Sequence, residues 1–389
     1  MTHIAQSAQV LPIRGIYPIV HHKLNTGALW LADQNTQVKV EKVFLLDNDL
    51  DDPLRKAFST YEANDLQFGE YWLRNLAAHA LDDQDTAAVF TARLSPGNFV
   101  ACPLKLNART GHANSLGTFY TSNYSPIVCS NEPEKLFVAL FRHLANVEML
   151  SAITLSPMDI DTPLFGMIRT ALARAGWQGI HDFFCFGNWV HELVDTSYQG
   201  YLAARPSQVG NTVARKTRKF LDANRGQLRI VQGGEQLEDA IAQFVAVYNN
   251  SWKREEPYPE FIPQLLRLSA ERGWLRLGIA NYDNKPVASQ IWLVSEGSAY
   301  IFKLAYHKDF KQLSPGTVLT AFMMEHVIDN DRVTRIDYLS GDDDYKKNWM
   351  STRRDRCGVA AYNPRTLQGC GMLTGRVLNK YYKKFLGRS

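Results

Sequence analysis

The sequence predicts an α+β (α/β) chain built of two similar domains, each a mixed sheet flanked by helices. Three observations carry this. Strand-like and helix-like segments alternate along the chain with turn signals between them. The order of elements in the second half follows the order in the first, although no residue-level repeat is visible. The length, 389 residues, amounts to two domains at roughly 100–200 residues each. The expected layout is a lead-in segment at 1–37, domains at 38–180 and 181–360, and a basic tail at 361–389.

In the first half, residues 38–46 (VKVEKVFLL) read as a strand. Residues 70–80 place Tyr71, Leu73, Leu76, Ala77 and Ala80 at helical spacing. Residues 87–92 and 99–106 form a hairpin about the Ser95-Pro96-Gly97-Asn98 turn. A β-rich patch at 118–120 and a loop at 121–126 follow. Pro133 opens a helix that runs to about Ala145, as proline does in a first turn. A short strand at 151–155 precedes a helix at 162–175 that ends on Gly176.

The second half opens with 183–193, then a helical and basic stretch at 198–221 and a strand at 228–232. A helix at 237–252 puts Leu237, Ile241, Phe244, Val245 and Tyr248 on one face, and another at 259–271 closes on Gly273. Strands at 274–280, 286–295 and 298–306 are joined by Asp283-Asn284-Lys285 and Glu296-Gly297, both hairpin signals. A helix at 317–328, a strand at 335–339 and an acidic loop complete the unit.

Composition excludes several classes. Hydrophobic residues at 45% and charged ones at 21% are ordinary for a globular chain and argue against disorder. No apolar run approaches the roughly 20 residues of a membrane span, and no secretory pattern opens the chain, so a cytoplasmic location is expected. The five cysteines lack CxxC spacing and the ten histidines lack HExxH, so neither a metal site nor a disulfide framework is expected. The net charge of +4 is unevenly spread. Seven basic residues fall between Arg205 and Arg229 against Asp222 alone, and six lie between Arg365 and Ser389 with no acid. Such runs are either solvated helix faces or attract phosphates of a CoA-like donor, an RNA or an anionic membrane surface.

Two segments carry chemistry. Residues 306–317 (YHKDFKQLSPGT) join a strand to an amphipathic helix through Ser314-Pro315-Gly316. A helix N-terminus offers unpartnered N–H groups and a partial positive charge, and glycine lets an anion approach. Lys308 and Lys311 add charge, so the loop suits a pyrophosphate. Residues 335–349 (RIDYLSGDDDYKKNW) end a strand on three consecutive aspartates. Their side chains diverge and lack the spaced ligands of a calcium loop, but a carboxylate at a strand end can act as a general base. Asp337 and Asp342 are the better-placed candidates.

The combination of the Ser-Pro-Gly loop, the Asp-Tyr-Leu-x-Gly strand end and the Tyr-Lys-x-x-Trp block resembles the GNAT-type acyltransferases related to cellulose-biosynthesis acetyltransferases and Fem peptidyltransferases. Residues 199–220 resemble the helical block ahead of that domain, and 116–126 (LGTFYTSNYSP) resemble the family's Gly-x-x-x-Ser-x-Tyr-x-Pro stretch. The resemblance implies two tandem GNAT-like domains with an acceptor cleft between them. It implies acyl transfer from acyl-CoA, most often acetyl-CoA, to an amine or hydroxyl of a sugar, lipid or polysaccharide precursor; the Fem branch instead uses aminoacyl-tRNA. A non-catalytic scaffold of an exopolysaccharide assembly, touching a membrane surface through the basic tail, is the third reading. Carried over, Lys311, Gln312, Leu313, Gly316 and Thr317 would face the donor's pyrophosphate. Lys303, Tyr306, Lys346 and Trp349 would line the acceptor site, with Asp337, Asp342 and Tyr345 as catalytic candidates. Tyr306 or Tyr345 with a strand N–H would stabilise the oxyanion. The loop departs from the common GNAT pattern in having one glycine, Gly316, where two are usual.

Overall fold

The computed structural model describes residues 38–47, 49–194 and 197–385, with side chains through residue 376. The lead-in segment expected at 1–37, and the side chains of Lys380, Lys383, Lys384 and Arg388, lie outside the described residues. Contacts divide the chain into two compact units, Met1–Cys185 with Asp355–Ser389, and Phe186–Arg354.

The first unit runs β1 (Lys39–Phe44), α1 (Asp52–Glu62), α2 (Glu70–His79), β2 (Asp85–Ser95), β3 (Asn98–Asn107), β4 (His112–Ser115), β5 (Ile127–Cys129), α3 (Pro133–Asn146), β6 (Ala152–Asp159) and α4 (Pro163–Arg174). Next comes β7 (Gln178–Glu192), whose residues from Phe186 onward belong to the second unit. Helix α1 has no counterpart among the expected elements. Its start is local chemistry: the Asp51 carboxylate accepts the Leu54 N–H at 3.0 Å, and Pro53 sits in the first turn. Strands β1, β2, β3 and β4 pair antiparallel in sequence order, and β4 pairs in parallel with β6. The patch expected at 118–120 forms no strand. The chain leaves the sheet after Ser115 and rejoins β3 only as β5. The detour is pinned where Gln67 Oε1 accepts the N–H groups of Ser122 and Asn123 and Pro157 accepts that of Tyr124. Phe90, Phe137, Phe141, Ile153 and Ile168 lie in the core between sheet and helices.

The second unit continues with α5 (Tyr198–Ala203), α6 (Ser207–Leu221), β8 (Gly226–Val231), α7 (Leu237–Asn249), α8 (Phe261–Glu271), β9 (Leu275–Tyr282), β10 (Lys285–Ser295), β11 (Ser298–Tyr306), α9 (Pro315–Glu325), β12 (Arg335–Asp337) and α10 (Lys346–Trp349). Strand β13 (Thr352–Tyr362) passes back into the first unit at Asp355, where it pairs with β6, and α11 (Leu367–Phe385) follows. The single helix expected at 198–221 is two, because Pro206 cannot donate the hydrogen bond that would carry one turn into the next. Strands β8 to β11 form an antiparallel meander, β11 pairs in parallel with β12, and β12 pairs antiparallel with the end of β7.

Both units therefore run strand, two helices, three-strand meander, helix, and a strand that pairs in parallel with the last of the meander over three residues, with β5 an addition in the first. This accounts for the similar order of elements read from the two halves. Helices α6 and α9 pack on the sheet face that carries Trp292 and Ile301, with Val213, Phe220, Leu319 and Met323 buried there. Contact at this face is close: a Cβ on Gly278 of β9 would lie 2.5 Å from Met323 Sδ and 3.2 Å from Leu319 Cδ1. Met323 is fully buried and has no open space to move into. Gly278→Ala is expected to lower unfolding free energy by about 1–3 kcal/mol through overpacking, read as a shift in the urea midpoint.

Candidate functional site

The site is built on a strand pair that stops early. Strand β12 accompanies β11 over three residues, Ser298 to Tyr300 against Arg335 to Asp337. Strand β11 then runs on to Tyr306 with β10 alone beside it. What ends β12 is Asp337. Its buried carboxylate accepts the Leu339 N–H at 2.7 Å and Asn188 Nδ2 at 2.6 Å on one oxygen, and Arg335 Nη2 at 3.0 Å on the other. Asn188 also donates to the Leu339 carbonyl, and Leu339 holds a left-handed backbone at φ 53°. The chain thus turns off the sheet and leaves the main-chain groups of 301–306 without β12 beside them.

The open half of β11 leads into the Ser-Pro-Gly loop. Ser314 adopts φ 54°, ψ 46°, an unusual conformation for a residue with a Cβ, and Pro315 starts α9. The first α-helical hydrogen bond runs from Val318 N–H to Ser314 O, so the amides of Gly316 and Thr317 lie ahead of it. Gln290 of β10 secures the turn from below, donating through Nε2 to Gly316 O at 3.0 Å and Thr320 Oγ1 at 2.9 Å while accepting from Trp292 Nε1. A Cβ on Gly316 would meet the Tyr306 ring at 3.3 Å, which explains a small residue there. Lys311 and Gln312 are exposed, whereas Leu313 is buried in the core and anchors the loop.

The sequence reading passed over the segment between α7 and α8. It extended the preceding helix to Trp252, but α7 ends at Asn249, where Asn250 caps Ala246 O through its side chain. The freed residues fold over β11. A bulge at Phe302 shifts the register so that Lys303 pairs with Ile291, on the face opposite Trp292 and Ile301. Lys303 there forms an ion pair with Glu256 and lies 5.0 Å from the Tyr248 ring centroid. The Tyr248 hydroxyl is pushed up by burial and by the neighbouring Glu256. Lys253 Nζ lies 5.7 Å from the Tyr248 ring and 5.9 Å from that of Trp252, and the Trp252 ring packs on Tyr306 at 4.4 Å, tilted by 42°. Burial pushes both ammonium groups down, Lys253 to about 8. The available signal was the mixture of aromatic and charged residues in NSWKREEPYPE after a helix-ending Asn-Ser.

The remaining candidates divide. Lys346 is buried, and its ammonium donates to Ser340 O at 2.6 Å and Gly341 O at 3.1 Å, with Asp343 at 3.6 Å. It packs over Tyr338, whose ring meets Tyr345 edge-on at 5.9 Å. Burial raises the Tyr345 hydroxyl, and the Asp343 charge adds to the effect, so it stays protonated. Trp349 is a core residue whose carbonyl accepts the Tyr201 hydroxyl at 2.6 Å. Asp342 is drawn the other way, onto Trp189 Nε1 at 2.7 Å and Arg353 at 2.7–2.8 Å. The Arg353 guanidinium and then the indole hold its carboxyl below the usual range. The structure therefore gathers Lys303 and Tyr306 with Tyr248, Trp252, Lys253 and Glu256, places Asp343 and Lys346 close enough to influence Lys253, and turns Asp337 and Asp342 toward β7.

Among the described residues no cluster of His, Cys, Asp and Glu could hold a metal ion, and no helix is long and apolar enough to cross a membrane. Residues 207–347 match the family described as acetyltransferase (GNAT) domain. Two solved structures share the architecture. A crystal structure of FemX aligns at TM-score 0.55 and 11% identity, over 82% of this chain and 96% of that one. A tandem GNAT protein from the clavulanic acid biosynthesis pathway aligns at TM-score 0.51 and 13% identity, over 85% and 100%. No curated protein matches the chain.

The Asp337 assignment is testable through stability. Asp337→Asn keeps the shape but puts an amide where a carboxylate accepts three donors. It is expected to cost about 1–3 kcal/mol of unfolding free energy, read by chemical denaturation, with a smaller loss for Asp342→Asn on the exposed surface.

Proposed function

We propose that this chain is an acyltransferase of the Fem-related GNAT type that moves an acyl group, in the first instance acetyl, from acyl-CoA to an amine or hydroxyl of a sugar, lipid or polysaccharide precursor. The observation that carries this reading is the open half of β11 leading directly to the N-terminus of α9. An extended donor can pair with the free edge of a strand while its pyrophosphate rests on the amides of Gly316 and Thr317. Lys311 and Gln312 stand at the outer side of that turn.

The chemistry follows from the same geometry. The acceptor nitrogen or oxygen attacks the thioester carbon, its new bond forms, and the C–S bond breaks. The oxyanion that develops is met by main-chain N–H groups of β11, which are already aimed and need no reorganisation. The acceptor's proton passes to a carboxylate, and the departing thiolate takes a proton from a group that is still protonated. Glu256 suits the first role better than Asp337 or Asp342, because both aspartates are taken up by hydrogen bonds on the β7 side. Glu256 is half-buried beside β11 and held by its ion pair with Lys303. Tyr345 suits the second role, since it remains protonated through the neutral range.

The competing donor, an aminoacyl-tRNA, draws on one observation: Arg215, Arg218 and Lys219 of α6 are exposed. Salt-sensitive tRNA binding would favour it. The two donors are separated by incubating the full chain with a panel of acyl-CoAs and measuring thermal shift and free-thiol release. Stabilisation by CoA species and thiol release on adding acceptor are expected. Absence of both with every donor, together with tRNA binding at low salt, overturns the acyl-CoA reading. In the active system, Glu256→Gln is expected to lower kcat by about 10²–10⁴-fold while leaving CoA binding unchanged. Activity retained in this variant would return the base role to the aspartates.

A further inference from the structure

We infer that Lys253 binds an anionic group of the acceptor, so that the acceptor is an amine or alcohol carrying a phosphate or carboxylate. The inference rests on the acyltransferase reading for the word acceptor, but its evidence is the charge arrangement over β11.

Three lysines converge there with two carboxylates. Glu256 is engaged by Lys303, and Asp343 lies against Lys346. Lys253 has neither an ion-pair partner nor a hydrogen-bond acceptor for its ammonium among the described residues, only the faces of Tyr248 and Trp252. It is half-buried nonetheless. A desolvated ammonium without a counter-charge is unfavourable unless something supplies one. The charged groups that face it act on its pKa in both directions. Lys303 of β11 and Lys346 after β12 push it down alongside burial, while Glu256 of its own loop and Asp343 raise it without restoring it. Tyr248 of α7 contributes only a ring face and a hydroxyl that remains protonated. One positive charge is therefore in excess at this point. A ligand bearing one anionic group beside its nucleophile completes the balance, with the anion on Lys253 and the nucleophile near Glu256.

Lys253 is set apart from the donor's pyrophosphate by its place against Tyr248: helix α9 packs on the sheet face of Trp292 and Ile301, whereas the bulge at Phe302 puts Lys303, and with it Tyr248, on the opposite face, and only Trp252 reaches from there to Tyr306. Trp252 is 58% exposed, with its ring tilted against Tyr306. The cation thus lies beside an open aromatic surface that a sugar ring or an acyl chain can cover.

The test reads the lysine directly and does not require turnover. Full-length protein labelled with ¹³C at lysine Cε is titrated by NMR, with Lys253 assigned by its loss in Lys253→Gln. In the free protein the resonance is expected to titrate near 8. Inorganic phosphate, and separately acetate as the carboxylate probe, is expected to move that midpoint up by about one unit, equally with and without saturating desulfo-CoA. If neither probe moves it at tens of millimolar, the anion site does not exist. If desulfo-CoA alone moves it and then blocks phosphate, the anion belongs to the donor and the acceptor assignment falls. These outcomes are independent of whether acyl transfer occurs, which the thiol-release assay reports. For an active acceptor pair differing in one anionic group, Lys253→Gln is expected to raise KM about tenfold for the anionic member alone, with Lys253→Arg restoring it and the acyl-CoA KM unchanged. An equal effect on both members overturns the proposal.

Discussion

The second unit depends on one carboxylate ending one strand. Asp337 accepts the Leu339 amide two residues on, and this short turn prevents β12 from following β11 past Tyr300. Asn188 and Arg335 complete its hydrogen bonding and tie the turn to β7. A buried carboxylate with this many donors is stable where an unpaired one would not be. Because β12 stops, the rest of β11 keeps a free edge. Beyond the end of β11 a short helical turn, Lys308–Leu313, leads to the Ser-Pro-Gly turn that starts α9. The loop residues 250–260 then have a surface to fold over.

The first unit shows what happens without this constraint. It has the same order of elements and the same three-residue parallel pairing, between β4 and β6. There, however, the meander strand itself is interrupted. The chain departs at Ser115, and Tyr124 bonds back to Pro157 on β6 before β5 rejoins β3. In the first unit the chain's own detour follows instead, held by Gln67 at Ser122 and Asn123 and by Pro157 at Tyr124. Tyr120, Tyr124 and the side chains around them are buried in that detour. Two units of one design thus differ in the feature on which the proposed donor site depends.

Charge is distributed in the second unit according to the same logic. Lys346 is neutralised by carbonyls and Asp343 and acts as a brace for the acidic loop. Asp342 is clamped by Arg353 and Trp189 at the surface. Lys303 and Glu256 neutralise each other over β11. Lys253 stands outside these pairings while half-buried, where an uncompensated charge is less well solvated than in water.

What the sequence determined by itself is the local chemistry. Turn pairs such as Glu296-Gly297, proline in the first turns of α3 and α9, and the apolar stripe of α7 state backbone preferences that hold wherever the segment lies. For this reason the meander, the Ser-Pro-Gly turn and the alternating architecture were legible. The tertiary structure alone decided which acidic groups face which way. Asp337 and Asp342 looked like free carboxylates at a strand end, but Asn188, Trp189 and Arg353, distant in sequence or on another strand, engage them. Glu256 and Lys253 looked like residues of an ordinary charged loop. They became part of the site through a one-residue bulge in β11, which set Lys303 on their side of the sheet. A side chain's available lone pair, and the charge it meets, depend on contacts made across the fold. Spacing along the chain does not encode them.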